Sequence, residues 1–276
     1  MDCDRFQVKI WGARGSIPVA GQDFLKYGGN TPCVEVRCGD YKLIFDAGSG
    51  IREAGLDMLA DETRQIDVFF SHCHYDHIIG LPFFRPLYSP SIVVNVWSGH
   101  MAGIMTTAEM IKQFVSPPYF PVKLDICKAS LNFRDFRAGD VLSPRPGISI
   151  RTFTLNHPGG CIGYRIEWGA KAVALVFDIE HQPGILDPTA LELMADADLA
   201  IYDSAFTESE MDRYRGFGHS TWEQGVKLAK QAKTKKLMLF HHAPSRTDAE
   251  MALIERLAQE EFPATLAARD GMLLDI

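Results

Sequence analysis

No run of apolar residues in this sequence is long enough to cross a bilayer, so no membrane partner is expected. No two cysteines stand at CxxC spacing; the six are scattered at positions 3, 33, 38, 73, 127 and 161. That argues against a disulfide framework, and the cysteines read as reduced thiols, several of them buried. Nor is there an excess of positive charge. Lys and Arg number 28 against 35 Asp and Glu, a net charge of -7, which weighs against a basic face that grips long nucleic acid. A small anionic substrate stays open, because bound metal ions would supply positive charge locally. There is no low-complexity linker, no charge block and no clean repeat. The opening MDCDRFQVKIWGARGS carries early acids and no apolar h-region, so a cytoplasmic location is expected. The glycine-rich loops WGARGSIPV and YGGNTPC lack the spacing of a phosphate-binding loop. They read as tight turns, with Arg14 or Asn30 at a site mouth as the alternative.

What the sequence does have is many short apolar runs that end in polar or glycine-rich loops. QVKIWG, CVEVRC, YKLIFDAGSG, IDVFFSH and SIVVNVWSG come first. ISIRTFTLNH, GYRIEWG, KAVALVFD, DLAIYDS and KLMLFHH follow, and ATLAARDGMLLDI is last. Each reads as a strand. Alternation is absent in VFF and VALVF, as in strands buried on both faces. Helical patterns lie between them. STWEQGVKLAKQAKT and PSRTDAEMALIERLAQEE open on cap signals, MAGIMTTAEMIKQFV is a third, and DPTALELMADA carries Pro188 near its first turn. This order predicts an α/β fold with two sheets inside and helices outside. A single domain over 1–276 is expected, with a segment at about 98–127, containing SPPYFPV, as an insertion that covers a site.

The stretch FFSHCHYDHIIG, residues 69–80, packs three histidines and an aspartate into six positions. In a helix, residues i and i+2 point about 200° apart, so His72 and His74 could not share an ion there. On a strand they point the same way. IDVFFSHCH is a strand running into a loop, so His72 and His74 converge while Cys73 faces away as a small buried residue. Asp76 and His77 sit where the chain turns, placed to reach a second ion. The bland reading, a polar turn, fits four ligand-type residues in six positions poorly. Further ligand-type residues follow other apolar runs: Asp46 after KLIF, His157 after RTFTLN, Asp178 after AVALVF, His241 and His242 after LMLF. Layered α/β folds build sites at strand ends, so these residues can meet in one cleft.

With HxHxDH standing as His72-Cys-His74-Tyr-Asp76-His77, the sequence resembles the metallo-β-lactamase superfamily over nearly its whole length. The resemblance implies a four-layer αβ/βα sandwich. It implies that His72, His74 and His157 hold one divalent ion, that Asp76, His77 and His241 hold another, and that Asp178 bridges both. His241 is preferred to His242 because it directly follows the strand. Asp46 matches a position that orients a ligand histidine. Zinc is the expected metal, and manganese or iron would suit the same ligands.

Asp178 stands where many lactamases of the superfamily have cysteine, and His74 where its diiron electron-transfer members have glutamate. GFGHSTWEQGVKLAKQAKTKKLMLFHH resembles the GHST segment of the ribonuclease Z and small-phosphodiesterase branch, in which a histidine at the place of His219 acts in phosphodiester cleavage. The bland reading is a helix cap by Ser220 or Thr221, which does not account for a histidine entered through Gly216 and Gly218. The chemistry is coherent. Two ions would give a bridging hydroxide near neutral pH and neutralise phosphate oxygens. His219 would protonate the leaving oxygen. Asp76 would hold the nucleophilic water or steady His219, and helix amides near Ser220 and Thr221 would favour phosphate.

Between VFDIEH and GFGHST there is no long basic insertion, and the lysines at 230, 233, 235 and 236 suit a helix end. The expected substrate is therefore a small or cyclic phosphodiester, a cyclic nucleotide or cyclic sugar phosphate, with nucleic acid a disfavoured partner and a homodimer compatible. Rival readings are an ester, thioester or lactam hydrolase on the same fold, a tRNA 3′-processing-like endonuclease, and a non-catalytic metal-containing ligand sensor. Asp203 also ends a strand and could support the site. His100 and His181 have no assigned role, and Tyr164 and Arg165 read as packing residues.

Overall fold

The computed structural model describes residues 5–276, so Cys3 lies outside the described residues. Among the described residues, fourteen strands form two seven-stranded sheets. The first half of the chain supplies β1 (Phe6–Gly12), β2 (Cys33–Cys38), β3 (Tyr41–Phe45), β4 (Gln65–Phe70), β5 (Val93–Ser98) and β6 (Ser130–Asp135). The second supplies β7 (Val141–Leu142), β8 (Ile148–Leu155), β9 (Cys161–Trp168), β10 (Lys171–Val176), β11 (Leu199–Asp203), β12 (Leu237–Phe240), β13 (Thr265–Ala267) and β14 (Leu273–Asp275). Sheet one runs β14-β1-β2-β3-β4-β5-β6 and sheet two β13-β12-β11-β10-β9-β8-β7. β3 to β6 are mutually parallel, as are β10 to β13. The strands without alternation are the central parallel ones: β11 and β12 are buried at every position. A strand covered on both faces has no polar side to present. β1, at the antiparallel margin, alternates throughout.

The helices are α1 (Ile51–Ala60), α2 (Tyr75–Ile78), α3 (Thr107–Phe114), α4 (Pro188–Met194), α5 (Met211–Tyr214), α6 (Trp222–Gln231) and α7 (Asp248–Glu261). The four predicted helices form, each with a side-chain cap at its start, the third only from Thr107. Thr221 accepts from the Gln224 N–H, Asp187 from the Ala190 N–H, and Thr106 and Thr247 form reciprocal boxes with Glu109 and Glu250. α1 was not predicted; it begins after Gly50 without a side-chain cap and holds Gly55 in its middle. The last predicted strand divides: β13 joins sheet two and β14 joins sheet one, with a turn at Asp270–Gly271 between them.

Between the sheets lies an apolar core drawn from both, including Phe45, Phe69, Phe136, Tyr164, Phe177 and Phe240. Phe69 stacks on Phe45 at 5.0 Å and on Trp97 at 5.4 Å, and Tyr164 meets Phe45 edge-on at 5.1 Å. Separate apolar layers lie under the helices on each outer face. The segment at about 98–127 serves one of these layers: Met110, Ile111, Val115 and Leu124 are buried against the outer side of sheet one, and Phe120 meets Phe83 at 6.2 Å. None of the residues lining the cavity described below comes from this segment. A segment with few strand signals can still bury an amphipathic helix.

Strands β3, β4, β8, β10, β11 and β12 all point their C-terminal ends to one edge of the sandwich, where the polar residues gather. Tyr164 of β9 fastens the two sheets just behind this edge, its hydroxyl donating to the Phe70 carbonyl at 2.6 Å. Tyr164→Phe keeps the ring and strands that buried carbonyl. It is expected to cost about 1–3 kcal/mol of stability, read as a lowered midpoint with unchanged slope in urea unfolding of metal-free protein.

Candidate metal centre

The centre begins with Asp46, the residue after β3. Its backbone is left-handed, φ 62, a conformation aspartate tolerates better than most residues. The carboxylate is fully buried and accepts three hydrogen bonds: from the Ser71 N–H, the Ser71 hydroxyl and His77 Nδ1, each at 2.7 Å. Since the Ser71 hydroxyl gives its only proton to Asp46, it accepts from His72 Nδ1 at 3.0 Å. One carboxylate thereby fixes the tautomers of two histidines, leaving the Nε2 lone pairs of His72 and His77 turned inward. His74 is extended and caps the single-turn helix α2, which carries Asp76 and His77 back to the same point. The His72 ring lies 4.4 Å from that of His74 and 4.2 Å from that of His77.

The second sheet brings His157, Asp178 and His241 to these residues. Ligand atoms of His72, His74, His157 and Asp178 lie within 4.8 Å of one another, and so do those of Asp76, His77 and His241. The Asp178 carboxylate touches both groups: it is 3.6 Å from His72 Nε2 and 3.8 Å from His157 Nε2, and 3.3 Å from His77 Nε2 and 3.5 Å from His241 Nε2. A third grouping joins Asp178 and His241 to Asp203 and His219.

These residues fit two divalent ions. His72 Nε2, His77 Nε2 and Asp178 Oδ1 are buried and have no hydrogen-bond partner, an arrangement that costs free energy unless something electron-poor sits between them. Burial and the neighbouring His77 push His72 well below its ordinary pKa. Burial would push Asp178 up, but His241, His77 and His72 hold it well below the usual carboxylate range. Burial would lower His77, but Asp178, Asp76 and Asp46 raise it. Protons and ions compete for the same lone pairs, so ion binding releases protons.

The open side is a cavity of about 520 Å³ lined by Ser16, Cys73, His74, Tyr75, Asp76, Asp178 and His219. His219 stands at its edge, with Nδ1 2.9 Å from Asp203 Oδ2 and its ring stacked on His241 at 4.5 Å. Burial works against the charged ring, but Asp203, then Asp178 and Asp76, raise its pKa to about 9. The direct contact marks His219 and Asp203 as an ion pair more than as ligands.

Several expectations change. Ser220 and Thr221 are fully buried and are not among the residues that line the cavity. Ser220 Oγ bonds Tyr202 and His181, and Thr221 caps α6, so their side chains are not free to hold substrate. The helix-cap reading accounts for the Thr221 side chain, and Ser220 is held by its two buried partners. Cys73 is half-buried and lines the cavity instead of facing away. Arg14 is buried, donating to the carbonyls of Gly28, Ala243 and Arg246, and Asn30 bonds Asp270 and Ser49; neither lines the mouth. His242 turns away and bonds the Ala268 carbonyl at 2.9 Å. His181 serves Ser220, while His100 lies 6.5 Å from the His72 ring with Nδ1 on Ser98. The sequence reading missed Ser16, whose backbone N–H donates to Asp76 Oδ2 at 2.7 Å from a left-handed conformation. A backbone donor leaves no residue-type signal.

Comparison with known proteins agrees with this geometry. The chain is 24% identical to ribonuclease Z of Archaeoglobus fulgidus, covering 98% of both chains. It is 27% identical to ribonuclease Z of Ligilactobacillus salivarius, covering 82% of this chain and 84% of that one. The metallo-β-lactamase fold protein YhfI from Bacillus subtilis superposes with a TM-score of 0.76 at 20% identity, over 99% of this chain and all of that one. The recurrence of ribonucleases among the relatives overturns the expectation that nucleic acid is a disfavoured partner. Net charge misled because it sums the whole surface, whereas the field at a site depends on its own groups and ions. A β-lactamase superfamily domain matches residues 41–242, which include every residue of the two ion-binding groups, and the chain belongs to the metallo-β-lactamase superfamily as a metal-dependent hydrolase.

Proposed function

We propose that the protein is a phosphodiesterase that cleaves RNA, in the manner of a tRNA 3′-processing endonuclease. The observation that carries this reading is the His219–Asp203 pair, held at the rim of the cavity beside the two ion-binding groups. The named activity of the relatives supports the choice of RNA. His72, His74 and His157 would hold one ion, Asp76, His77 and His241 the other, and Asp178 would face both. When bound, the ions supply a nucleophile at neutral pH and neutralise charge on phosphate oxygens.

The chain's own residues supply the rest. Asp203 raises the His219 pKa, which favours the charged ring that can give a proton to the departing oxygen. Asp203 also accepts from the Ala205 N–H at 3.1 Å, which keeps the carboxylate in place as the proton leaves the ring. Asp76 is held ionised by His77 and His241 against the effect of burial, and its bond from the Ser16 N–H fixes which way the carboxylate faces. Half-exposed Cys73 and exposed Tyr75 form the outer lip of the cavity.

A second reading, a small or cyclic phosphodiester, is favoured by the short turn between β8 and β9, Asn156–Gly160, which leaves the chain beside His157 without any arm to grip a large substrate. Metal-loaded protein is therefore to be assayed on a 3′-extended tRNA transcript, cyclic nucleotides, bis(p-nitrophenyl) phosphate and a thioester. Endonucleolytic cut of the transcript, faster per enzyme than any cyclic nucleotide, is expected. Turnover of cyclic nucleotides with an intact transcript establishes the second reading, and thioester turnover alone contradicts both. On the best phosphodiester, His219→Ala is expected to lower kcat by roughly 10²–10⁴-fold with metal content unchanged. Parallel loss of metal and activity would make His219 a ligand instead of an acid.

A further inference from the structure

The loop that delivers His219 has little reason of its own to hold one shape. Gly216 and Gly218 are both left-handed, φ 86 and 87, and Gly216 has open space around it. Glycine moves between such conformations easily. Yet Gly218 must be placed closely: a Cβ there would lie 2.3 Å from His157 Nδ1.

One side chain fixes the loop. Glu180 Oε2 accepts the N–H of Gly216 and the N–H of Gly218, each at 2.8 Å. The Glu180 backbone is itself bound to the end of β8. Its N–H donates to the Asn156 carbonyl at 2.8 Å, and Asn156 Nδ2 donates to its carbonyl at 2.7 Å. On the other side, the Gly218 carbonyl accepts from His157 Nδ1 at 2.8 Å. This leaves the His157 Nε2 lone pair directed at the ion-binding group. The contacts close a ring from Glu180 through Gly218, His157 and Asn156 back to Glu180. His219 is the next residue after Gly218, and Asp178 lies two residues before Glu180, so the ring joins the carboxylate between the ion groups to the proposed acid.

We propose that Glu180 is a positioning residue: through Gly218 it sets both the place of the His219 imidazole and the orientation of His157. The part concerning His219 rests on the phosphodiesterase reading; the part concerning the loop and His157 does not. What matters is a single acceptor oxygen at the right reach. A glutamine carbonyl oxygen can occupy that point, an aspartate is one methylene too short, and alanine offers nothing.

The test compares Glu180→Ala, Glu180→Gln and Glu180→Asp with the wild type in the full-length protein. Three quantities are read: hydrogen exchange of amides 214–221, zinc affinity by chelator competition, and kcat and KM on the best phosphodiester. The alanine variant is expected to exchange faster in that segment and not elsewhere. It is expected to bind one of its two zinc ions about 10–100-fold more weakly, and to lose about 10²-fold in kcat with little change in KM. Glutamine restores all three and aspartate does not. Wild-type exchange and zinc affinity in the alanine variant overturn the proposal, and so does a glutamine variant as impaired as alanine. Should the alanine variant fail to fold, the Gln–Asp pair decides: an aspartate variant equal to wild type overturns the proposal. If exchange and zinc affinity respond as stated while no phosphodiester is turned over, the clamp stands and the substrate reading falls.

Discussion

A buried carboxylate at the end of β10 is the constraint on which the rest of this structure depends. Asp178 has almost no solvent contact, and one of its oxygens lacks a hydrogen-bond partner. A charge in such a place is tolerated only if others compensate it. His72 and His157 approach it from one side, His77 and His241 from the other. Each comes from the end of a different element, so the sandwich must be closed for the compensation to exist. That is why the inter-sheet core and the Tyr164–Phe70 bond matter to the chemistry: they hold strand ends of two sheets within ångströms of one carboxylate.

Three of the six non-glycine left-handed residues among the described residues lie at the same place; Glu62, Asp196 and Lys233 do not. Ser16, Asp46 and His241 are left-handed without being glycine, and each contacts the centre: Ser16 through Asp76, Asp46 through His77, His241 through Asp76 and Asp178. Such conformations persist where surrounding contacts over-determine them. Here the contacts are the hydrogen bonds that orient ligand atoms. Asp46 and His241 directly follow strands β3 and β12, and the left-handed turn there aims each side chain at a point between the two sheets.

Much of this was legible in the sequence. The clustering of His72, His74, Asp76 and His77, the strand-end placement of His157, Asp178 and His241, and the choice of His241 over His242 follow from ligand-type spacing and family pattern, and the structure brings those residues together. β4 ends at Phe70, however, and strand alternation does not extend through His72 to His74. What escaped lay in contacts that residue type does not encode. The Ser16 N–H is backbone. Ser220 and Thr221 match a phosphate-friendly helix start by type, but their hydroxyls are used by His181, Tyr202 and the helix cap. Glu180 is one acid among many by residue type, and only the contact of its Oε2 with two glycine amides sets it apart. The final strand divided because two short apolar runs around Asp270–Gly271 carry no mark of which sheet each will join. Net charge spoke against nucleic acid and the recurrence of ribonucleases among the relatives speaks for it; net charge sums the whole surface and does not describe the field at one site.

The central claim is that these residues form one centre for two ions joined at Asp178. The most direct measurement is the metal content of protein dialysed to equilibrium at rising free zinc, for the wild type and Asp178→Ala side by side. The account predicts saturation at two ions per chain in the wild type, and less than one per chain in the variant at the same free zinc. Saturation of the wild type at a single ion, or a variant that still binds two, would contradict it.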